Sequence, residues 1–319
     1  MILTQIINDA IRYNANDIHL QFNMIGNDIK DIRIYFRVKK QILPYNYHED
    51  SKVMSQVVFE AIEGLCDTLQ NEQSCSVYIG DVRCRISKFE AINGICYAIR
   101  VYNNQIPTLE SIYAPSAIAE LCENTSGLIL VCGTTGAGKS TTLAAMIHYI
   151  NTHARKHILT LEDPIEYIHK NNKSLISQRE IGIHSNNFET SLIASLREDP
   201  DVILIGEILN AKVLELAIVH ALSGHLVLAS FHAHNCMDAI TRMIGMRQRD
   251  INIHANLSAC LRGIVTQGLY EDGERLMADF EILLATAAVS ALIKDDKIWQ
   301  LDSQISMGKS IGMQHFSKI

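Results

Sequence analysis

The sequence predicts an α/β protein with a parallel sheet, preceded by a smaller α+β domain. Three observations predict it. Before residue 102, apolar residues alternate at strand spacing over several short runs. After residue 113, short wholly apolar runs alternate with helical stretches, the pattern of a parallel sheet covered on both faces. One of those runs leads into a glycine-rich turn and then a helix.

The elements follow in chain order. Leu3, Ile6, Ile7, Ala10 and Ile11 recur at helical spacing. Ile18, Leu20 and Phe22 alternate, as do Ile32, Ile34, Phe36 and Val38, with Arg33, Tyr35 and Arg37 on the opposite face. A helix is expected over residues 51–64, and strands near 76–79, 82–89 and 95–101. Asn103, Asn104 and Pro107 then favour turn or extended chain. The expected division is therefore 1–102, a linker over 103–112, and 113–319. In the second part, strands are expected at 127–132, 157–161, 202–205 and 226–231, a helix at 139–151, and helix from about 285 onward. No internal repeat is visible.

Composition narrows the class. Of 319 residues, 48% are hydrophobic and 20% charged, which is ordinary globular usage. Thirty-five acidic against 28 basic residues give a net charge of −7, so no nucleic-acid partner is expected, because phosphate contacts need clustered Lys and Arg. The eight cysteines form no C-x-x-C pair, which argues against a structural zinc site and for reduced, apolar thiols. No apolar run reaches the roughly 18–20 residues that cross a bilayer, and the N-terminus has no basic segment followed by an apolar core. A cytoplasmic protein with no membrane insertion is expected.

Residues 133–140, GTTGAGKS, satisfy G-x-x-x-x-G-K-[ST] in full. Gly133, Gly136 and Gly138 permit the close backbone approach that lets N–H groups of Thr134, Thr135 and Ala137 face phosphate. Lys139 reaches the β- and γ-phosphates of ATP, and Ser140, followed by Thr141, can ligate Mg²⁺. Two acidic strand ends supply the remaining chemistry. Glu207 closes the apolar run 203–205 and suits the Mg²⁺ shell. Glu162 closes 158–161 and suits the attacking water, with Asp163 and Glu166 beside it. A single strand-end acid is otherwise a solvated cap. His225, His232 and His234 flank the run 226–231; such histidines are more often packed side chains than ligands, and a γ-phosphate sensor role for His232 requires it to lie beside the loop.

The segments GTTGAGKST, TLEDPIEY, SLREDPDVILIGE and SGHLVLASFHAHN, in this order, resemble the secretion-ATPase superfamily, and within it the PilT-type retraction ATPases of type IV pili. Residues 15–20, ANDIHL, and 306–314 resemble the family's opening and closing signatures. The resemblance implies a PAS-like N-terminal domain, a RecA-like ATPase domain, a homo-hexameric ring and an inner-membrane pilus platform protein as partner. It implies that 133–141 is the Walker A loop, Glu162 the catalytic glutamate, Glu207 the Walker B acid, and His225 with His232 the His box. It implies that Arg85 and Arg100 reach a nucleotide held by a neighbouring subunit. Two positions depart from the pattern. Ile208-Leu209-Asn210 stands where the family has Met-Arg-Asp, and Ala288-Val289-Ser290 where it has Ala-Ile-Arg. Two alternatives stay open: a type IVB secretion or conjugative-transfer ATPase, also short and two-domained, and a weakly hydrolysing accessory subunit of a pilus motor, which the missing charged pair motivates.

Overall fold

The computed structural model describes every residue except 1, 27, 40, 47–50, 67–73, 93, 103–104, 248–249 and 274. It forms two compact units, Met1–Gln105 and Ile106–Ile319. Asn103 and Asn104, on which the expected linker begins, lie outside the described residues.

In the first unit, α1 (Ile2–Arg12) and α2 (Ser51–Cys66) accompany a six-stranded sheet. Its strands are β1 (Ala15–Ile25), β2 (Asp28–Val38), β3 (Gln41–Tyr45), β4 (Ser74–Ile79), β5 (Val82–Ala91) and β6 (Gly94–Val101). They are ordered β3-β2-β1-β6-β5-β4, and every neighbouring pair is antiparallel. Alternation decides the faces. Ile18, Leu20 and Phe22 pack with Leu3, Ile6 and Ile7 of α1 and with Met54, Val58 and Ile62 of α2 in one core. Tyr97 is fully buried there, edge-on to Phe22 and Phe59. The sequence does not predict β3: it is a mostly exposed edge strand containing Pro44, so it carries neither alternation nor burial.

In the second unit the strands are β7 (Gly127–Cys132), β8 (His157–Glu162), β9 (Leu175–Glu180), β10 (Val202–Ile205), β11 (Leu226–Phe231), β12 (Leu261–Asp272) and β13 (Arg275–Leu284). The order is β13-β12-β7-β11-β10-β8-β9, parallel throughout except for the antiparallel edge strand β13. Each face has its own core. Leu128, Leu130 and Cys132 join the side holding α5 (Phe188–Ser195), α6 (Ala211–Leu222) and α7 (Cys236–Met246), whereas Ile129 and Val131 join the side holding α3 (Ser116–Cys122) and α4 (Lys139–His153). α8 (Ile253–Cys260), α9 (Ala287–Lys294) and α10 (Leu301–Met307) complete the first of these layers.

Three strands here escape prediction from sequence. β9 is a half-polar edge strand, LISQRE. β12 and β13 form a long hairpin, and β13, RLMADFEILL, is rich in helix formers, so its propensity opposes its structure. After α10 the chain turns back: Gln314 bridges Ile282, and the Asp279 carboxylate accepts the backbone N–H groups of Ser317 and Ile319 at 2.7 and 3.1 Å. Seven cysteines are free and buried, and the side chain of Cys66 lies outside the described residues. Burial pushes the Cys84 and Cys260 thiols up to about 12, away from thiolate chemistry. Among the described residues no helix is long and apolar enough to cross a membrane.

Candidate nucleotide site

Parallel strands end on one edge, and that edge collects the chemistry. β7 runs directly into residues 133–138, and α4 begins at Lys139 with Gly138 as its N-cap at φ +85°. The glycine at 133 is required by contact: a Cβ there would lie 2.6 Å from the backbone oxygen of Gln267 and 2.9 Å from the Ala137 Cβ. Nothing stands within 4 Å of where a Cβ on Gly136 would be, so the loop's outer side is open to a ligand. Thr134, Thr135 and Ser140 are exposed and Ala137 is buried, which fits a loop with one face on the core and one toward phosphate. The Lys139 ammonium donates to the carbonyls of Gly133 and Thr134 at 2.9 and 3.1 Å, holding it across the loop. Thr141 exchanges a hydrogen bond with the Tyr167 hydroxyl at 3.1 Å.

β11, β10 and β8 follow β7 in the sheet, so their C-terminal ends step away from the loop in order. His232 follows β11, Glu207 lies just beyond β10, and Glu162 ends β8. At about 4.8 Å per strand, Glu207 stands roughly 10 Å along the edge from the loop strand and Glu162 one strand further. The two acids are brought together by Gly206, whose N–H donates to the Leu161 carbonyl at 2.7 Å. A Cβ at Gly206 would stand 3.2 Å from both the Glu162 Cα and the Leu161 oxygen. Glu207 and His232 line one cavity of about 470 Å³ together with Leu209, Phe231, Arg242 and Met246.

Glu162 is oriented by two residues that the sequence pattern does not single out. Thr160 Oγ1 donates to its Oε1 at 2.6 Å, and Gln178 Nε2 donates to the same oxygen at 3.2 Å. Thr160 has a sequence signal, since i and i+2 share a strand face. Gln178 has none, because it sits on β9. Both bonds hold the carboxylate, an arrangement suited to a base kept in a fixed orientation.

The remaining expected residues fall elsewhere. His225 precedes β11, at the opposite end of that strand from His232, and its Nδ1 faces the His220 carbonyl at 3.1 Å. The two members of the expected His box are thus separated by the strand's length, about 20 Å at strand rise, and within one chain His225 lies at the end of β11 away from the acids. His232 is exposed, with the His234 ring 6.3 Å away. Arg85 and Arg100 lie in the first unit. They face each other directly across β5 and β6, on the face away from the helices, and Arg100 Nε donates to Asp17 at 2.9 Å. The Met-Arg-Asp departure has a partial substitute: Asn210 caps α6, accepting from Lys212 and Val213 N–H at 2.9 and 3.0 Å, as an aspartate would. Leu209 is exposed and supplies no charge.

A glycine-rich loop between a parallel strand and a helix, with two acids beyond neighbouring strands, defines a nucleotide-binding α/β protein. The chain belongs to the family of Type II/IV secretion system proteins, whose sequence profile matches residues 1–288. It is 36% identical to the uncharacterized protein YggR of Escherichia coli (strain K12) over all of this chain and 97% of that one. It is 32% identical to the type IV pilus retractation ATPase PilT of Pseudomonas aeruginosa, covering 98% of this chain and 91% of the relative. Among solved structures it resembles the crystal structure of the pilus retraction motor PilT with bound ADP, at a TM-score of 0.81 and 33% identity, covering 95% of this chain and 89% of that chain.

Proposed function

We propose that this protein hydrolyses ATP as a ring-forming motor that powers retraction of a type IV pilus. One observation carries the reading: the glycine-rich loop, Glu207 and Glu162 lie in order along a single sheet edge, at the ends of β7, β10 and β8. The near full-length relationship to PilT, rather than to part of a longer chain, supports the same activity.

In this reading the N–H groups of residues 134–138 and the start of α4 bind the phosphates of ATP, and Lys139 moves from its loop carbonyls to the β- and γ-phosphates. Glu162, fixed by Thr160 and Gln178, orients the attacking water and takes its proton. Ser140, on the exposed side of the loop, and Glu207, at the strand end, fit Mg²⁺ as a hydroxyl and a carboxylate oxygen. That ion neutralises charge on the phosphates when bound. Arg85 and Arg100 act on a nucleotide held by the neighbouring subunit of a homo-hexamer, and an inner-membrane platform protein receives the motion. The protein works in the cytoplasm, at the membrane through that partner.

Deleting the gene in its host tests the direction of the motor. Retraction predicts excess surface pili with pilin retained; loss of pili would assign the motor to assembly instead.

A further inference from the structure

The loop is held from beneath by one residue of β12. Gln267 is 3% exposed, and its Nε2 donates to the Ala137 carbonyl at 2.5 Å. Its own backbone oxygen occupies the space a Cβ on Gly133 would enter, and its Nε2 lies 3.1 Å from where a Cβ on Gly138 would be. Three loop positions therefore close on a single residue. The other amide atom, Oε1, is buried without a hydrogen-bond partner among the described residues. The assignment of N and O is fixed by the contact, since the opposite one would set two acceptors against each other. An apolar residue, as at neighbouring Ile264 and Val265, would avoid that unpaired acceptor. A polar residue kept at such a cost to the sheet indicates service to the site rather than to stability.

The geometry of a peptide unit says what that service is. In a trans peptide the C=O and N–H point in opposite directions. Drawing the Ala137 carbonyl down to Gln267 turns the Gly138 N–H up, to the side where α4 begins and where an anion is stabilised. We propose that Gln267 is a positioning residue for nucleotide binding: through the Ala137 carbonyl it presets the 137–138 peptide so that its N–H faces phosphate. The inference rests on reading residues 133–141 as the phosphate-binding loop.

ADP and ATP affinity, with thermal melting of each variant, tests it. Gln267→Met keeps the side chain's length and removes the donor; it is expected to weaken nucleotide binding about 3–10-fold, the range of one net hydrogen bond, while melting close to wild type. Gln267→Glu supplies the sharper readout. As a carboxylate it has no donor and should bind worse than the Met variant at pH 8. Once protonated it regains an O–H for the Ala137 carbonyl, so its affinity relative to wild type should recover as pH falls toward 6. Gln267→Met binding as tightly as wild type, or a Glu-to-wild-type ratio that stays flat with pH, would overturn the proposal. If the Met variant does not fold, the pH dependence of the Glu variant decides alone. Unimpaired ATP turnover by Lys139→Ala would instead remove the loop assignment on which the inference stands.

Discussion

At the scale of single residues, the proposed mechanism divides the chemistry among three side chains, and each division is measurable. Lys139→Ala should fold and lose on the order of 10²–10³-fold in ATP turnover, because a preorganised charge on the phosphates acts chiefly in the transition state. Glu162→Gln and Glu207→Gln should both be inactive for different reasons. The Glu162 amide still accepts from Thr160, so that variant should bind ATP normally and trap it, whereas Glu207→Gln should need more Mg²⁺ for ATP binding. Mg²⁺ titrations of ATP binding in the two variants separate the roles, and superimposable curves would merge them. A buried histidine packed beside the same residues ties folding stability to pH. His169 donates its backbone N–H to Gln178, the residue that holds Glu162, and its Nδ1 is buried without a partner among the described residues. Burial, with the nearby His148 charge, lowers its pKa from 6.5 to about 4. Between those values the unfolded chain binds the proton and the folded one does not, so stability should fall as pH drops from about 6.5 toward 4. Thermal melts across that range check it, and His169→Phe should flatten the slope. The loop is legible in the sequence because its chemistry is written in eight consecutive residues. The orientation of Glu162 is only half legible, since Thr160 is two residues away but Gln178 arrives from a strand the sequence conceals.

At the scale of elements, the site depends on how closely β10 approaches β8. Gly206 makes that approach possible, and the neighbours a Cβ would strike are the Glu162 Cα and the Leu161 carbonyl, which are backbone atoms without a rotamer to move. Gly206→Ala should therefore shift Glu162 by a few tenths of an ångström and lower kcat about tenfold while leaving ATP affinity unchanged. A kcat equal to wild type would show that the two strand ends tolerate separation. The same scale shows where residue patterns stop being informative. β7, β10 and β11 are central, buried on both faces and almost wholly apolar, and β8 keeps a buried Ile-Leu-Thr-Leu centre, so composition announces all four. β3, β9 and β13 are edge strands with one partner each, and there the residue pattern answers to solvent and to helix propensity as much as to the sheet. The hidden strand β12 carries Gln267, so the support beneath the loop is concealed along with it.

At the scale of the whole molecule, the proposed ring motor has one subunit's arginines serve another subunit's nucleotide. Arg85 and Arg100 stand directly opposite one another on β5 and β6, a like-charge pairing that costs stability in a sheet. Asp17, only 16% exposed at its side chain, offsets part of that charge through Arg100. Such a row of charge is well suited to an anion brought from outside the domain, and a head-to-tail contact that closes on itself makes a ring. In solution the protein with an ATP analogue should therefore run at about six chain masses, and a strictly monomeric mass would count against a motor. The most direct measurement is ATP hydrolysis by mixed rings of two inactive variants, Glu162→Gln and Arg85→Ala/Arg100→Ala, with subunit exchange verified separately. If the arginines are donated across the interface, about one interface in four of a 1:1 mixture joins an intact nucleotide side to an intact arginine side, and up to about a quarter of wild-type activity should return. No recovery after confirmed exchange would contradict donation between subunits.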